Sequence, residues 1–361
     1  MTSLEKPQAE QALVKRSSRW KLILAALIAA LIVTLIVSLN IGYAPISFRE
    51  ILLILGKQIP FSPIKDSSNQ FQIDNAIITQ IRLPRVLAGA LVGAGLAVAG
   101  VIYQGIFRNP MADSYLLGAS AGASVGYTIA VLYVTSSLSL IGLGMTQIFA
   151  FIFALLTVFV VLTISRVGGK IPTTTLLLSG IVANIFLLAI ETVMQLRSGK
   201  VLSGIVAWLA GGFSDTVWNQ FYAVMPIILV GMVLTYFFTR DLNVLSMGED
   251  TAQHLGVNTE RTRQFLLAIA SLITAACVAV SGVIGFVGLI IPHMTRLVIG
   301  PDHRILLPAS AIVGAIFLVI CDSVARVATG ASELPVGVIT ALVGTPFFIY
   351  LLRRRKTTYS L

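Results

Sequence analysis

Charge is what this chain has least of. Asp, Glu, Lys and Arg together make up 11% of its 361 residues, less than half the roughly 25% of soluble domains. A water-facing surface cannot be assembled from so few, while 57% of the residues are apolar and the mean hydropathy is +0.93. A soluble enzyme, a nucleic-acid-binding module and a disordered chain are thereby excluded. Cysteine is nearly absent. Cys277 and Cys321 lie in separate apolar runs and are expected to be buried, reduced residues rather than a disulfide or a metal site. The histidines, His254, His293 and His303, form neither H-E-x-x-H nor a cluster with carboxylates, so no metal and no other cofactor is expected. No G-x-x-x-x-G-K-[ST] loop occurs: Gly169–Lys170 and Gly199–Lys200 are followed by isoleucine and valine. The chain therefore cannot cradle ATP phosphates by that route. Neither a pair of embedded aspartates nor a hydrolase nucleophile elbow is expected. This is not expected to be an enzyme.

Apolar length is what the chain does have. Runs fall at 21–40, 86–107, 115–134, 143–164, 173–195, 219–239, 264–281, 283–297, 305–325 and 335–352, most of them near the ~20 residues that cross a ~30 Å hydrocarbon core. The pattern predicts an all-α polytopic membrane protein of about ten transmembrane helices. Residues 1–20 form an N-terminal tail, 21–352 the membrane domain and 353–361 a basic C-terminal tail. The first run, Leu22–Leu39, outlasts a signal h-region and lacks a cleavage site, so it is read as retained. The seventh and eighth runs part around Ser281, Gly282 and Gly285, and the eighth is expected to be short, ending at Pro292–His293. An even count puts both termini on one side. Lysines and arginines favour that side by roughly two to one, which makes it cytoplasmic. The net charge of +10 belongs to membrane surfaces, with basic runs at Lys15–Lys21 and Arg353–Lys356, and not to nucleic acid.

Small residues at i+4 spacing, Gly118, Gly122 and Gly126 in one span and Gly89, Gly93 and Ala97 in another, predict close helix packing. Within the spans only Glu191 and Asp322 are ionisable candidates; both are expected near outer ends, each paired with a neighbouring base. A carrier driven by an ion gradient, which would place such a group at the midplane, is the alternative from another class. Three outer arginines, Arg82, Arg85 and Arg326, break the positive-inside bias. Their guanidinium forks suit partner carboxylates, or they snorkel to headgroups. In the loop 240–263, Gly248 can break one short helix before Glu249 and Asp250 start another, which Gly256 would close. The fifth span opens Pro172-Thr173-Thr174-Thr175 and holds Ser179 and Asn184. These polar groups either line a path or cap a helix.

Four stretches carry more than hydropathy. The first is Ile81-Arg82-Leu83-Pro84-Arg85-Val86-Leu87-Ala88-Gly89 with Gln104-Gly105-Ile106-Phe107-Arg108-Asn109-Pro110-Met111-Ala112 and Leu117-Gly118. The second is Trp208-Leu209-Ala210-Gly211-Gly212-Phe213, and the third runs from Met247 to Val257. The fourth joins Gly285-Phe286-Val287-Gly288-Leu289, Ile291-Pro292-His293, Asp302-His303-Arg304, Ala325-Arg326 and Glu333-Leu334-Pro335-Val336-Gly337. In this order and spacing, over about residues 20–352, they resemble FecCD-type permeases. These are the membrane subunits of type II ABC importers for iron–siderophore complexes, haem and cobalamin. The resemblance implies a multi-pass protein of a prokaryotic cytoplasmic membrane. Its implied partners are the lipid bilayer, a second permease subunit, two cytoplasmic ABC ATPase subunits and an extracytoplasmic substrate-binding protein. It implies that Gly248, Glu249, Asp250, Ala252, Leu255, Gly256 and Val257 couple to the ATPase and that Arg82, Arg85 and Arg326 dock the binding protein. Thr173, Thr174, Thr175, Ser179 and Asn184 would line the path and its inner gate. The expected cargo is an iron–siderophore, with cobalamin or haem as the alternative.

Overall fold

The computed structural model describes residues 6–57, 68–134, 139–140, 143–329 and 333–356. It is helical almost throughout. Helix α1 (Lys6–Asn40) begins inside the stretch read as a tail and continues through the first apolar run. Two short helices follow, α2 (Phe48–Lys57) and α3 (Asn69–Ala76), and the second passes through a π-helical turn at Ile77–Arg82 directly into α4 (Leu83–Phe107). The second span thus starts well before residue 86. Next come α5 (Ala119–Tyr133), a small hairpin of β1 (Ser139–Leu140) and β2 (Leu143–Gly144), α6 (Met145–Ile164) and α7 (Thr173–Arg197). The remainder is α8 (Leu202–Leu209), α9 (Trp218–Phe237), α10 (Thr239–Ser246), α11 (Glu249–His254), α12 (Thr259–Ser281), α13 (Val287–Ile299), α14 (His303–Val327) and α15 (Val336–Lys356).

Among the described residues seven helical stretches are long and apolar enough to cross a membrane: Ser18–Asn40, Asn69–Phe107, α6, α7, α9, α12 and α14. The other three expected spans are α5, α13 and α15. Helix α13, at 13 residues, rises about 20 Å at 1.5 Å per residue, short of the ~30 Å core.

Helix α4 is the hub, almost wholly enclosed by α9, α12, α13 and α14. Its small residues allow this. A methyl group on Gly93 would stand 2.3 Å from the carbonyl oxygen of Gly314 in α14, so those two backbones are in contact. The Gly118, Gly122 and Gly126 strip brings α5 onto α6, where Cβ atoms on the last two would overlap Phe153 and Phe149 carbonyls. The same strip twice matches G-x-S-x-G spacing, Gly118–Gly122 and Gly122–Gly126. It lies along a helix whose Ser124 hydroxyl donates to the Ser120 carbonyl, which is packing and not a strand-to-helix elbow.

The break after α12 sits where Ser281 and Gly282 placed it, with Gly282 at φ 64°. Here the Trp208–Phe213 stretch docks. Gly212 N–H donates to the Ser281 carbonyl, and Gly282 has no room for a Cβ because the Trp208 carbonyl lies 2.1 Å from where it would be. Irregular backbone at this depth is tolerable because protein surrounds it. The eighth run does not end at Pro292–His293: α13 continues through Pro292 to Ile299. A proline cannot donate to the carbonyl four residues earlier. That carbonyl, Gly288, and its neighbour Leu289 instead accept from the side-chain amide of Gln104 on α4 at 3.3 and 3.0 Å. The helix survives its proline because another helix supplies the donor.

Candidate functional site

At the outer end, Arg82, Arg85 and Arg326 converge, but not as free forks. All three are buried. Arg85 holds Asp322 through Nε and Nη2 at 2.9 and 2.8 Å and Glu333 through Nη1 at 2.8 Å. Asp322 also faces Arg326 Nε at 3.2 Å, so one carboxylate bridges two guanidiniums. Arg326 donates from Nη1 to the carbonyls of Ser38 and Ile41, and Arg82 donates to those of Leu39 and Ala44. These acceptors are the last turn of α1 and the residues just after it, where carbonyls have no intrahelical partner and cations are favoured. Arg82 and Arg326 cap α1, while Arg85 clamps α4 to α14 and to the segment before α15. The expectation of exposed rim arginines is corrected to a buried, internally satisfied cluster. Asp322 is paired with bases as expected.

Glu191 is not. It is buried on α7, accepting from the Thr128 hydroxyl of α5 at 2.8 Å and from Gln195; among the described residues no base contacts it and Oε2 has no partner. It ties two helices through neutral donors.

On the opposite end, the loop 240–263 folds as the glycines dictate. Gly248 at φ 125° separates α10 from α11, and Glu249 and Asp250 occupy the first turn of α11. The other end closes as a Schellman motif. Val257 N–H donates to Ala252 C=O and Gly256 N–H to Gln253 C=O, with Gly256 at φ 81°. Ala252 is fully buried and seats the helix, whereas Met247 and Leu255, 68% and 58% exposed, face outward beside Asp250. The result is a small capped helix flanked at its two ends by exposed apolar side chains. A Cβ at Gly256 would meet no atom within 4 Å, so Gly256→Val tests chiefly the backbone conformation at φ 81°. It should strain the closing turn by about 1–3 kcal/mol, leave membrane insertion intact and weaken association with an ATPase subunit in a pull-down. Full association and uptake would remove α11 from the contact.

At the start of α7, Thr174 is exposed and Thr173, Thr175 and Ser179 half-exposed; no side chain caps this helix. Asn184 is engaged elsewhere: its amide donates to the Tyr115 carbonyl at 2.8 Å. It fixes α7 against the 3-10 turn Ser114–Leu117, which Gly180 approaches so closely that a Cβ would lie 1.8 Å from the Leu116 carbonyl oxygen. A cavity of about 900 Å³ opens beside that turn, walled by Tyr115, Leu209, Phe286, Leu289 and Leu342, with Asp113 the one acid among the described residues that line it. Burial pushes the Asp113 carboxyl up, and the Ser114 N–H and hydroxyl bonded to it act against that shift. Sequence reasoning missed this residue, which carried no signal beyond its place between two matched motifs. Helix α8 was missed too; its Trp208 ring stacks on Tyr127 at 4.0 Å.

Known proteins are similar to this chain in sequence and in overall fold. The profile of the FecCD transport family matches residues 30–354. The cobalamin import system permease protein BtuC of Halobacterium salinarum is 47% identical over 280 residues, which are 78% of this chain and 74% of that one. The hemin transport system permease protein HmuU of Yersinia pestis is 36% identical over 338 residues, 93% and 96% of the two chains. A solved structure described as an inward-facing conformation of a metal-chelate type ABC transporter superposes with a TM-score of 0.79 at 31% identity, covering 92% of this chain and 99% of that one. By the match of the family profile across most of its length and the identity to these permeases, the chain belongs to the FecCD transport family of ABC importer permeases.

Proposed function

We propose that this chain is one half of the membrane pathway of an ATP-driven importer for a bulky metal chelate. The observation that carries the reading is α11: six residues, closed by glycines at both ends, seated on Ala252 and flanked by the exposed Met247 and Leu255. Such an element can take a push from a partner without unfolding the body behind it. Two ATPase subunits engage it on the cytoplasmic side, where both termini, 1–20 and 353–361, flank the membrane domain 21–352. A second permease subunit covers the apolar face of α7, on which Leu178, Val182, Ile185 and Phe186 are exposed. A binding protein seats on the outer end, whose contour Arg82, Arg85 and Arg326 hold in shape from within. Thr173, Thr174, Thr175 and Ser179 form the inner gate, and Asn184 positions its helix.

The cargo reading follows from chemistry. A wide, largely apolar wall offers a rigid chelate many weak contacts and no deep trap. The kinship with a permease named for cobalamin, at 47% identity, favours a corrinoid over the iron–siderophore expected from sequence. Proteoliposomes holding the chain with its ATPase and binding protein should accumulate labelled cobalamin when ATP is supplied, and the chain alone should hydrolyse none. Uptake of a ferric siderophore in place of cobalamin would return the cargo to the first expectation. Uptake without ATP that collapses with an ion gradient would overturn the importer reading.

A further inference from the structure

Arg263 stands one turn into α12 and is 7% exposed. Its Nη2 is ion-paired with the Glu249 carboxylate at the first turn of α11, and its Nη1 donates to the Ile171 carbonyl at 3.1 Å. Ile171 is itself buried, and Pro172 and Thr173, the start of α7, follow directly. One planar group therefore touches the loop 240–263 and Ile171, two residues before the first residue of the proposed gate. Beside it lies a cavity of about 580 Å³, lined on one side by Ile171, Pro172 and Thr173 and on the other by Glu249, Gln253 and Val257.

A six-residue helix is too short to be held by its own hydrogen bonds. Its attachments decide how it moves. Ala252 gives α11 an apolar seat, and Glu249–Arg263 ties it to the body. A guanidinium is rigid and its donors are fixed relative to one another. A displacement of the Glu249 carboxylate therefore turns the whole fork and moves the donor that holds Ile171. The adjoining cavity gives the fork and the α7 start room to move. Lysine, a single point charge on a flexible stem, cannot hold two acceptors at a fixed separation.

We propose that Arg263 is the positioning residue that carries the movement of α11 to the inner start of α7. This rests on the reading that α11 contacts the ATPase. The full complex in proteoliposomes tests both, with a benzophenone attached at His254→Cys on the exposed end of α11 to report the contact. Arg263→Lys should keep the cross-link to the ATPase and basal ATP hydrolysis, while cargo moved per ATP falls about tenfold, within the range of coupling between sites. A spin-label pair on α11 and α7 should change separation on nucleotide binding more in the variant than in the native complex, because α11 moves and α7 no longer follows. Glu249→Gln, which leaves the Ile171 contact, should show the same defect more weakly. An intact cross-link with an unchanged transport-to-ATP ratio in Arg263→Lys overturns the proposal alone. No cross-link in the native complex overturns the contact and the proposal with it. If both variants lose assembly with the ATPase, Arg263 is a structural anchor and the proposal is wrong.

Discussion

Replacing Asp322 with alanine is expected to cost about 3–5 kcal/mol, the usual penalty for removing one partner of a buried ion pair. Arg85 and Arg326 would be left facing each other without the carboxylate between them, and Glu333, bonded to Arg85 and to the Ser214 hydroxyl, is not placed to serve both. The purified protein should melt at a markedly lower temperature, with Asp322→Asn falling between the two. A melting point equal to that of the native chain would mean the cluster holds nothing. The companion substitution Arg326→Lys separates holding from docking. It should lower stability while the association rate of the binding protein at low salt stays the same, because that rate reads exposed charge. A slower association with unchanged stability would make Arg326 a direct contact.

A second large effect is expected at Gly100. Its Cβ would stand 1.9 Å from the Gly288 carbonyl oxygen and 2.6 Å from its carbon, so the obstacle is backbone and not a side chain that can turn away. Gly100→Val must force α4 and α13 apart. Overpacking of a core costs about 1–3 kcal/mol and sometimes more, and here the hub helix itself is displaced. Little folded protein should elute as a single species from size-exclusion chromatography after detergent extraction. The same side chain at Gly256 should leave a well-folded chain that transports poorly. Should Gly100→Val elute and melt like the native chain, the close approach of α4 and α13 is not required.

What the sequence disclosed is what depends on near neighbours. Apolar length marked the helices, Gly282 marked the break, and Gly248, Glu249, Asp250 and Gly256 bounded α11. What stayed hidden depends on remote partners. Pro292 reads locally as a stop, and only Gln104, 184 residues before Gly288, reverses it. Arg82 and Arg326 read as outward-facing because several of their acceptors are backbone carbonyls at the end of α1, which no residue type advertises. Glu191 was matched to a base because its true partners are a threonine on another helix and a glutamine one turn on. The bond from the Asn184 amide to the Tyr115 carbonyl crosses a helix contact and was likewise not visible in the sequence. The kind of residue at the site was legible; the direction in which it points was not.

The capping of α1 has a consequence for how the protein is made. Helix α1 is synthesised first, yet the donors for its final carbonyls sit on α4 and α14, with Arg326 288 residues away from Ser38. Unsatisfied carbonyls in hydrocarbon cost several kcal/mol each. Until Arg326 is synthesised, the Ile41 carbonyl lacks its guanidinium donor and the Ser38 carbonyl keeps only the Ile41 N–H. Completion of the outer cap of α1 is then a late step of folding. A chain truncated before α14 would leave its first helix inserted but unfinished.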